Sequence, residues 1–135
     1  MAKRLRRPRG IAMILLAGIA IASAWLHWQP PPRQFCVAVD GDTIHCGEQR
    51  VRLIGLDAPE LRARCEEEAR LAQAATERLR HLLEGGVTLE QAGRDRFGRT
   101  LAVVRNHDGE DVAAVLIREH LARPYHGRGP REGWC

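Results

Sequence analysis

Apolar residues follow three different patterns along the chain. An almost unbroken apolar run covers residues 11–26 and is followed by Gln29-Pro30-Pro31-Pro32, a composition typical of a stiff, extended linker. Beyond this linker, apolar residues come in short runs typical of strands, and then at spacings of three and four, typical of a helix. We therefore divide the chain into an N-terminal segment, residues 1–32, and one domain, residues 33–135.

The N-terminal segment predicts export. Five basic residues precede the apolar run, and Ala22-Ser23-Ala24 within the run is a small-residue site of the kind that signal peptidases cleave. If the segment stays uncleaved, it instead anchors the protein in the membrane, with Trp25 and Trp28 at the interface. In both cases we expect the domain outside the cytoplasm, either periplasmic or extracellular, or tethered to the outer side of a membrane.

Five short segments of the domain have the composition of strands. They are residues 35–39, 43–46, 51–56, 87–89 and 101–104. Asp40-Gly41-Asp42 lies between the first two and is typical of a hairpin turn, so the first three segments predict a meander. The polar stretch 93–99 separates the last two.

Helical spacing occurs twice in the domain. Between the third and fourth strands, apolar residues recur at spacings of three and four from Leu71 to Leu83, and Gly85-Gly86 ends this helix. Near the C-terminus, Asp111 can cap a short helix. This order predicts an α+β fold. Five such strands can form a closed barrel, although small α+β sandwiches have the same order of strands and helices.

The net charge of +4 belongs to the N-terminal segment and not to the domain. The five basic residues before the apolar run are Lys3, Arg4, Arg6, Arg7 and Arg9. Without these five, the chain has 16 basic and 17 acidic residues, and therefore a net charge of −1. A binding site for nucleic acid must therefore be a local cluster of charges and not a generally basic surface.

Four cysteines can stabilise this small domain as disulfides if it is exported to an oxidising compartment. They are Cys36, Cys46, Cys65 and Cys135. Three pairings exist. If Asp40-Gly41-Asp42 turns a hairpin, the first two cysteines face each other across it and the last two remain as partners. The alternative is a zinc site with His45 or His126, although no two cysteines have Cys-X-X-Cys spacing.

Arg52 interrupts the apolar third strand. A guanidinium on a largely buried strand is costly unless an anion pairs with it, and that anion is either a structural carboxylate or a bound phosphate. Asp42 at the turn and Asp57 at the strand end can converge, and hard oxygen ligands of this kind suit Ca²⁺ or Mg²⁺. Two carboxylates predict a weak cation site that backbone carbonyls, waters and substrate phosphate complete.

Three polar segments of the domain together resemble the signature blocks of the staphylococcal nuclease family. They read Val-Asp-Gly-Asp-Thr, Val-Arg-Leu-Ile-Gly-Leu-Asp-Ala-Pro-Glu and Asp-Arg-Phe-Gly-Arg-Thr-Leu-Ala, and the resemblance spans roughly Phe35 to Arg123. Each block alone has an ordinary structural interpretation, but here all three occur in order, with a helix between the second and third. The resemblance implies a five-stranded OB-fold barrel with a long helix between strands three and four and a short C-terminal helix.

The resemblance also implies roles for individual residues. The positions that match catalytic residues are Arg52 and Arg99, which bind the scissile phosphate, and the general base Glu60. The positions that match ligands of one Ca²⁺ ion are Asp42, Asp57 and the backbone carbonyl of Ala58; other hard divalent cations have similar ligand preferences. Supporting positions are Asp40, Thr43 and Asp95. Expected substrate contacts are Arg96, Phe97 and Tyr125.

The implied activity is calcium-dependent endonuclease cleavage of DNA or RNA on the 5′ oxygen side, which leaves 3′ phosphates. Glu60 orients or deprotonates a water, while calcium and the arginines stabilise charge in the transition state. We expect a monomer with nucleic acid as its substrate. The alternative is a catalytically weak or inactive OB-fold module that binds nucleic acid or protein while tethered at the membrane.

The sequence departs from the family pattern in two places. It ends without the family's third helix, and we expect a Cys65–Cys135 disulfide to hold the tail on the long helix instead, with a stabilisation of about 2–4 kcal/mol. Phe97 stands where a tyrosine is common, and Tyr125 and His126 fall only near the expected aromatic positions.

Overall fold

The computed structural model describes residues 31–135. The predicted signal peptide or membrane anchor, with its cleavage site and interfacial tryptophans, lies outside these residues. Among the residues described, no helix has both the length and the apolar character that a membrane crossing requires.

Seven strands and two helices make up the described part of the chain. In chain order they are β1 (Val37–Ala38), β2 (Thr43–Cys46), β3 (Gln49–Leu53), β4 (Gly55–Asp57), α1 (Glu66–Leu82), β5 (Thr88–Arg94), β6 (Thr100–Arg105), α2 (Val112–Arg118) and β7 (Arg123–Tyr125). One sheet has the order β1-β2-β3-β6-β5, and β4 and β7 form a second. The predicted α+β class and five-stranded sheet are confirmed.

The five-stranded sheet is mixed. Strands β3 and β6 are parallel, whereas the other neighbours are antiparallel. One isolated bridge joins Gln34, before β1, to Val87, before β5, through two backbone hydrogen bonds of 2.7 and 2.8 Å. The two edges of the sheet therefore approach each other at this point, an arrangement consistent with the predicted OB-like fold.

The predicted third strand, residues 51–56, is in fact two strands in different sheets. Strand β3 ends at Leu53, and β4 begins at Gly55, whose φ of 89° is a conformation that glycine adopts easily. This bend takes the chain from the large sheet to the small one. There β4 pairs with β7, with Leu56 opposite Pro124. Asp57 is thereby placed at the end of a short strand beside the C-terminal part of the chain.

Strand β5 is longer than the predicted residues 87–89. It continues to Arg94, with a bulge between Gln91 and Gly93, and pairs with β6 along its length. Its second half is exposed, so no alternation of apolar and polar residues marks it in the sequence. The β5–β6 hairpin carries the 95–99 loop at its end.

The two helices pack against the sheet around one apolar core. On α1, Ala72, Ala75, Leu79 and Leu82 are buried, as the three-and-four spacing predicts. On α2, Val112, Val115 and Leu116 are buried. Asp111 caps α2 by accepting a hydrogen bond of 2.9 Å from the backbone N–H of Ala113, which confirms the predicted cap.

Both expected disulfides are present. Cys36 pairs with Cys46 across the β1–β2 hairpin, and Cys65 pairs with Cys135. Within residues 31–135 no cysteine is free, so these thiols do not form a zinc site. Because Cys65 immediately precedes α1, the second disulfide holds the C-terminal end of the chain at the start of the long helix.

Candidate active site

The turn before β2 lies directly against the chain that follows β4. A Cβ atom added to Gly41 would lie 2.7 Å from the Cβ of Ala58, so only glycine permits this approach. Within the turn, the backbone N–H of Asp42 donates to Asp40 Oδ1 at 3.1 Å, and the Thr43 hydroxyl donates to Asp42 Oδ1 at 2.8 Å. The Asp42 and Asp57 segments are therefore neighbours, whereas the supporting role of Asp40 and Thr43 at an active site stays a prediction.

Arg52 forms an ion pair with Asp42. The β2–β3 register places Thr43 opposite Arg52, and Arg52 Nη1 lies 2.7 Å from Asp42 Oδ2. The two side chains are only 12% and 9% exposed. Of the two anions considered for Arg52, the carboxylate is present in the structure; a phosphate contact stays a prediction.

The surroundings of Asp42 favour an additional positive charge. Burial raises its pKa from 3.8 to about 6; Arg52 opposes this rise, whereas Asp40 adds to it. Desolvation dominates because an enclosed ion pair recovers only part of the hydration that its members lose. A cation that bound here would stabilise the ionised carboxylate, so Asp42 fits the predicted role of a ligand.

Asp57 offers an unsatisfied oxygen. Its side chain is buried, and Oδ1 accepts no hydrogen bond, although Arg131 Nη1 lies at ion-pair distance, 3.2 Å away. A buried carboxylate oxygen without a hydrogen bond is costly unless another group binds it, and a hard cation such as Ca²⁺ is suited to do so. Asp42, Asp57 and the adjacent carbonyl of Ala58 thus have the chemistry of a divalent cation site.

Side chains alone do not complete such a site. Within the described chain, no group of three or more histidine, cysteine, aspartate or glutamate side chains is arranged to hold a metal ion. Two carboxylates and one backbone carbonyl leave most ligand positions of Ca²⁺ to water or substrate oxygens. The cation site itself stays a prediction.

Glu60 is the exposed carboxylate of the site. It follows the buried residues Ala58 and Pro59, and its side chain is 59% exposed. Glu60 lines a small pocket of about 90 Å³ together with Asp57 and Ala58. Its Oε1 atom lies 3.6 Å from Arg131 Nη1. Glu60 is therefore accessible to water while it stays next to the candidate cation ligands.

Asp95 holds Arg99 in place. Its Oδ2 accepts from Arg99 Nε at 2.8 Å, and its Oδ1 accepts from the backbone N–H groups of Phe97 and Arg99 at 2.9 and 3.0 Å. Burial would raise the pKa of Asp95, but these hydrogen bonds outweigh it and lower the pKa below its ordinary value. Asp95 thus supports the loop and orients Arg99; its role at an active site stays a prediction.

Phe97 presents an aromatic ring to solvent between two arginines. Its side chain is 69% exposed, and the guanidinium carbons of Arg96 and Arg99 lie 4.8 and 5.6 Å from the ring centroid. An exposed ring with adjacent cations can stack on a base while the guanidinium groups contact the phosphates.

Most of the predicted phosphate and substrate residues line one cavity of about 800 Å³. Its charged and aromatic lining consists mainly of Arg52, Arg96, Phe97, Arg99, Tyr125 and Arg131. Asp42 adjoins this cavity through Arg52, whereas Asp57, Ala58 and Glu60 line the smaller pocket. The structure thus places most of the predicted residues in two pockets, both of which Arg131 lines, whereas Asp40, Asp42 and Thr43 line neither.

Sequence reasoning missed Arg131. It lies in a C-terminal stretch without periodicity or motif, and its contacts with Asp57 and Glu60 follow from the course of the chain after β7. The signal that could have found it was the expected Cys65–Cys135 disulfide, which requires the last residues to return to the start of α1.

Comparison with known proteins identifies the family of this chain. Residues 50–133 match the family described as staphylococcal nuclease homologue. The E. coli protein ParB is 31% identical over 138 aligned positions, which cover 92% of this chain and 71% of that protein. The chain belongs to the staphylococcal nuclease homologue family.

Two further relatives share a smaller part of their length with the chain. The succinoglycan biosynthesis protein ExoI of Rhizobium meliloti is 36% identical over 85 residues, 58% of this chain and 44% of that protein. An uncharacterized endonuclease of E. coli O157:H7 is 33% identical over 92 residues, 64% of this chain and 56% of that protein. The chain therefore spans about half the length of these two relatives.

Proposed function

We propose that this protein is a nuclease that hydrolyses phosphodiester bonds of DNA or RNA and uses one divalent cation. The cation that we expect is Ca²⁺. The observation that carries the proposal is the cavity in which Arg52 and Arg99 lie beside an exposed aromatic ring, next to a pocket with Asp57 and Glu60. Membership of the family and the relative named as an endonuclease support the same activity.

The two arginines have fixed orientations suited to a phosphate. Arg52 binds Asp42 through Nη1, and Arg99 binds Asp95 through Nε. The other nitrogens of each planar guanidinium can donate to phosphate oxygens, and such charge-assisted pairs are stronger than neutral hydrogen bonds. Because both guanidinium groups are held before substrate arrives, little reorganisation is required when negative charge increases in the transition state.

Asp42, Asp57 and the carbonyl of Ala58 would hold the divalent cation. When bound, such an ion neutralises phosphate charge and activates a water. The orphaned Oδ1 of Asp57 and the raised pKa of Asp42 are the local features that support this assignment.

Glu60 would act on the attacking water. The water oxygen forms a bond to phosphorus, the bond to the 5′ oxygen breaks, and Glu60 accepts the proton that the water loses. The leaving oxygen takes a proton from solvent, and the products are a 3′ phosphate and a 5′ hydroxyl. Since a carboxylate is a weak base, we assign most of the rate to charge stabilisation by the arginines and the cation.

The aromatic groups favour single-stranded substrate. Phe97 is exposed at the cavity, and Tyr125 lines the same cavity from β7. A base can stack on such rings only where it is not already stacked within a duplex. Stacking does not depend strongly on base identity, so we expect little sequence preference, and we expect a monomer to suffice.

Two disulfides within one small domain support an oxidising location. Together with the basic and apolar N-terminal sequence, they support the proposal that the domain acts outside the cytoplasm. Whether the N-terminal segment is removed or retained as an anchor is a separate prediction. Mass determination of the protein recovered from its native host would distinguish the two.

The proposal is tested by substituting Glu60 in the oxidised full-length protein. Cleavage of labelled single-stranded DNA and RNA in Ca²⁺ should fall by about a hundredfold or more in Glu60→Gln. Glu48→Gln, which alters an exposed glutamate in the β2–β3 turn, serves as the matched control and should retain full activity. Equal rates in all three proteins would contradict the role of Glu60. Tight binding without cleavage would instead favour the non-catalytic binding module.

A further inference from the structure

Arg131 connects the two halves of the candidate active site. It lies on the C-terminal segment 126–135, here called the tail. Its side chain lines the 800 Å³ cavity together with Arg52 and Arg99, and it also lines the 90 Å³ pocket together with Asp57 and Glu60. Among the lining residues, only Arg131 belongs to both pockets. Its guanidinium therefore stands between the proposed phosphate ligands and the proposed catalytic carboxylate.

The contacts of Arg131 with the carboxylates are loose. Its Nη1 lies 3.2 Å from Asp57 Oδ1, but without the geometry of a hydrogen bond, and 3.6 Å from Glu60 Oε1. The side chain is 42% exposed. Glu60 is exposed, so its ion pair with the guanidinium contributes little free energy. Asp57 is buried, so the guanidinium can leave it at small cost only when the proposed cation supplies a positive charge in its place.

The backbone around Arg131 is held more firmly than its side chain. Cys135 is bonded to Cys65 at the start of α1, and the guanidinium of Arg123, on β7, stacks 3.8 Å from the ring centroid of Trp134. The tail is thus attached on one side to the small sheet and on the other to the long helix. These attachments keep Arg131 at the site while its long side chain stays able to reorient.

Tyr125 supports the guanidinium on the cavity side. Its ring centroid lies 5.4 Å from the guanidinium carbon of Arg131, and its hydroxyl donates to the backbone carbonyl of Gly129 at 3.2 Å. A guanidinium over an aromatic face keeps the N–H groups in its plane available for hydrogen bonds. Arg131 can therefore present its fork to a phosphate in the cavity.

We propose that Arg131 is a third phosphate-binding residue of this site. In the free protein its guanidinium rests on Asp57 and Glu60, and in the complex it donates to a phosphate of the bound nucleic acid. A phosphate is the better partner because it accepts two parallel hydrogen bonds from the guanidinium, which neither carboxylate does here. The same movement leaves Glu60 free to act on water. Arg131 has this role only if the cavity binds phosphodiesters, as proposed above.

Binding of a nucleoside 3′,5′-bisphosphate tests the proposal without any reaction. Titration calorimetry on the oxidised full-length protein in Ca²⁺ should show affinity weaker by on the order of tenfold in Arg131→Gln. The matched control is Arg128→Gln, which removes the same charge from the same tail. Among residues 31–135, Arg128 forms no ion pair and does not line either pocket, so its loss should change affinity by less than about twofold. Equal losses of affinity in both variants would mean that Arg131 contributes only through the net charge of the protein. That result would overturn the proposal.

The disulfide supplies a second test. Cys65→Ser/Cys135→Ser should also weaken bisphosphate binding, because the tail loses its attachment to α1. This loss should be much smaller when Arg131→Gln is already present, since both changes act through one guanidinium. Fully additive losses would contradict the role of the tail in placing Arg131.

A positive control separates this proposal from the nuclease proposal itself. Arg99→Gln should weaken binding whether or not Arg131 contributes. If Arg99→Gln weakens binding and Arg131→Gln does not, Arg131 is not a phosphate ligand, and the nuclease proposal stands. If the wild-type protein neither binds the bisphosphate nor cleaves nucleic acid, both proposals are wrong.

Discussion

The guanidinium of Arg52 lies 2.7 Å from the carboxylate of Asp42, and both side chains are almost fully enclosed. This pair joins the two proposed functions of the site, because Arg52 lines the proposed phosphate cavity while Asp42 is a candidate cation ligand. Neither residue can be changed without affecting the other. The proposed phosphate-binding and cation-binding parts of the site are therefore in contact through one buried ion pair.

Removal of Arg52 should reduce catalysis and leave the fold intact. In Arg52→Gln we expect kcat/KM to fall by roughly a hundredfold or more, because a preorganised donor to the transition state is lost. Asp42 is left without its guanidinium, and protonation of this carboxyl limits the cost to the fold. Steady-state kinetics and thermal unfolding measure the two effects. The control is Arg50→Gln, which alters an exposed arginine two residues earlier on β3 and should change neither kcat/KM nor thermal stability. An equal fall of kcat/KM in both variants would refute the catalytic role of Arg52.

Burial of Asp42 predicts a specific pH dependence of stability in the absence of divalent cations. Because its pKa rises from 3.8 in the unfolded chain to about 6 in the folded one, the folded state binds more protons between these values. Ionisation of Asp42 therefore lowers the free energy of unfolding as the pH rises from about 4 to about 6. Below about pH 4 the Asp42 carboxyl is protonated in both the folded and the unfolded chain, so its ionisation no longer lowers the free energy of unfolding.

Asp42→Asn should remove that dependence. Between pH 4 and pH 6 the stability of the variant relative to wild type should rise by about 2–3 kcal/mol, an upper estimate from the rise of the Asp42 pKa from 3.8 to about 6. Urea unfolding at several pH values in chelator gives the difference, because carboxylates remote from Asp42 titrate alike in both proteins. A constant difference between pH 4 and 6 would contradict the burial argument.

Gly41 should tolerate no side chain. The Cβ of Gly41→Ala would lie 2.7 Å from the Cβ of Ala58 and 3.1 Å from that of Ala75, so the turn must move away from both. We expect a loss of about 1–3 kcal/mol in the free energy of unfolding, together with weaker cation binding. Gly133→Ala, where the added methyl meets no atom within 4 Å, is the control. Wild-type stability and cation affinity in Gly41→Ala would contradict the close packing of the two segments.

Divalent cations should stabilise the folded protein through Asp57. Ca²⁺ at a hundred times its dissociation constant should raise the free energy of unfolding by about 2.7 kcal/mol. In Asp57→Asn the increase at the same concentration should be much smaller, because the substitution removes the negative charge of the buried carboxylate whose Oδ1 lacks a hydrogen bond. Thermal unfolding with Ca²⁺ and with chelator measures both. Asp108→Asn, an exposed loop residue, should respond as wild type does; an unchanged response in Asp57→Asn would exclude Asp57 as a ligand.

The sequence predicted the elements whose chemistry is local. The three-and-four spacing along α1, the cap at Asp111 and the turn between Cys36 and Cys46 depend on residues close together in the chain, and the structure contains all three. Arg52 was singled out because a charge on an apolar strand needs a partner. The identity of that partner, Asp42, depends on the β2–β3 register, which composition alone does not reveal.

Apart from the Cys65–Cys135 disulfide, the main features set by long-range packing were not predicted. Strand β7 contains Pro124 and shows no apolar alternation, so its pairing with β4 has no local signal. The break between β3 and β4 depends on a backbone bend at Gly55 inside an apolar run. Arg131 reaches Asp57, 74 positions earlier in the sequence, only because β7 and the Cys65–Cys135 disulfide direct the tail there.

Analysis of the cleavage products tests the central claim most directly. The oxidised wild-type protein is incubated with single-stranded DNA carrying a label at one end, in Ca²⁺ and in excess chelator, and the new ends are identified by mass spectrometry. We predict fragments with 3′ phosphates and 5′ hydroxyls in Ca²⁺, and intact substrate in chelator. Equal cleavage in both, or fragments with 5′ phosphates, would contradict an active site built from Asp42, Asp57, Glu60 and the two arginines.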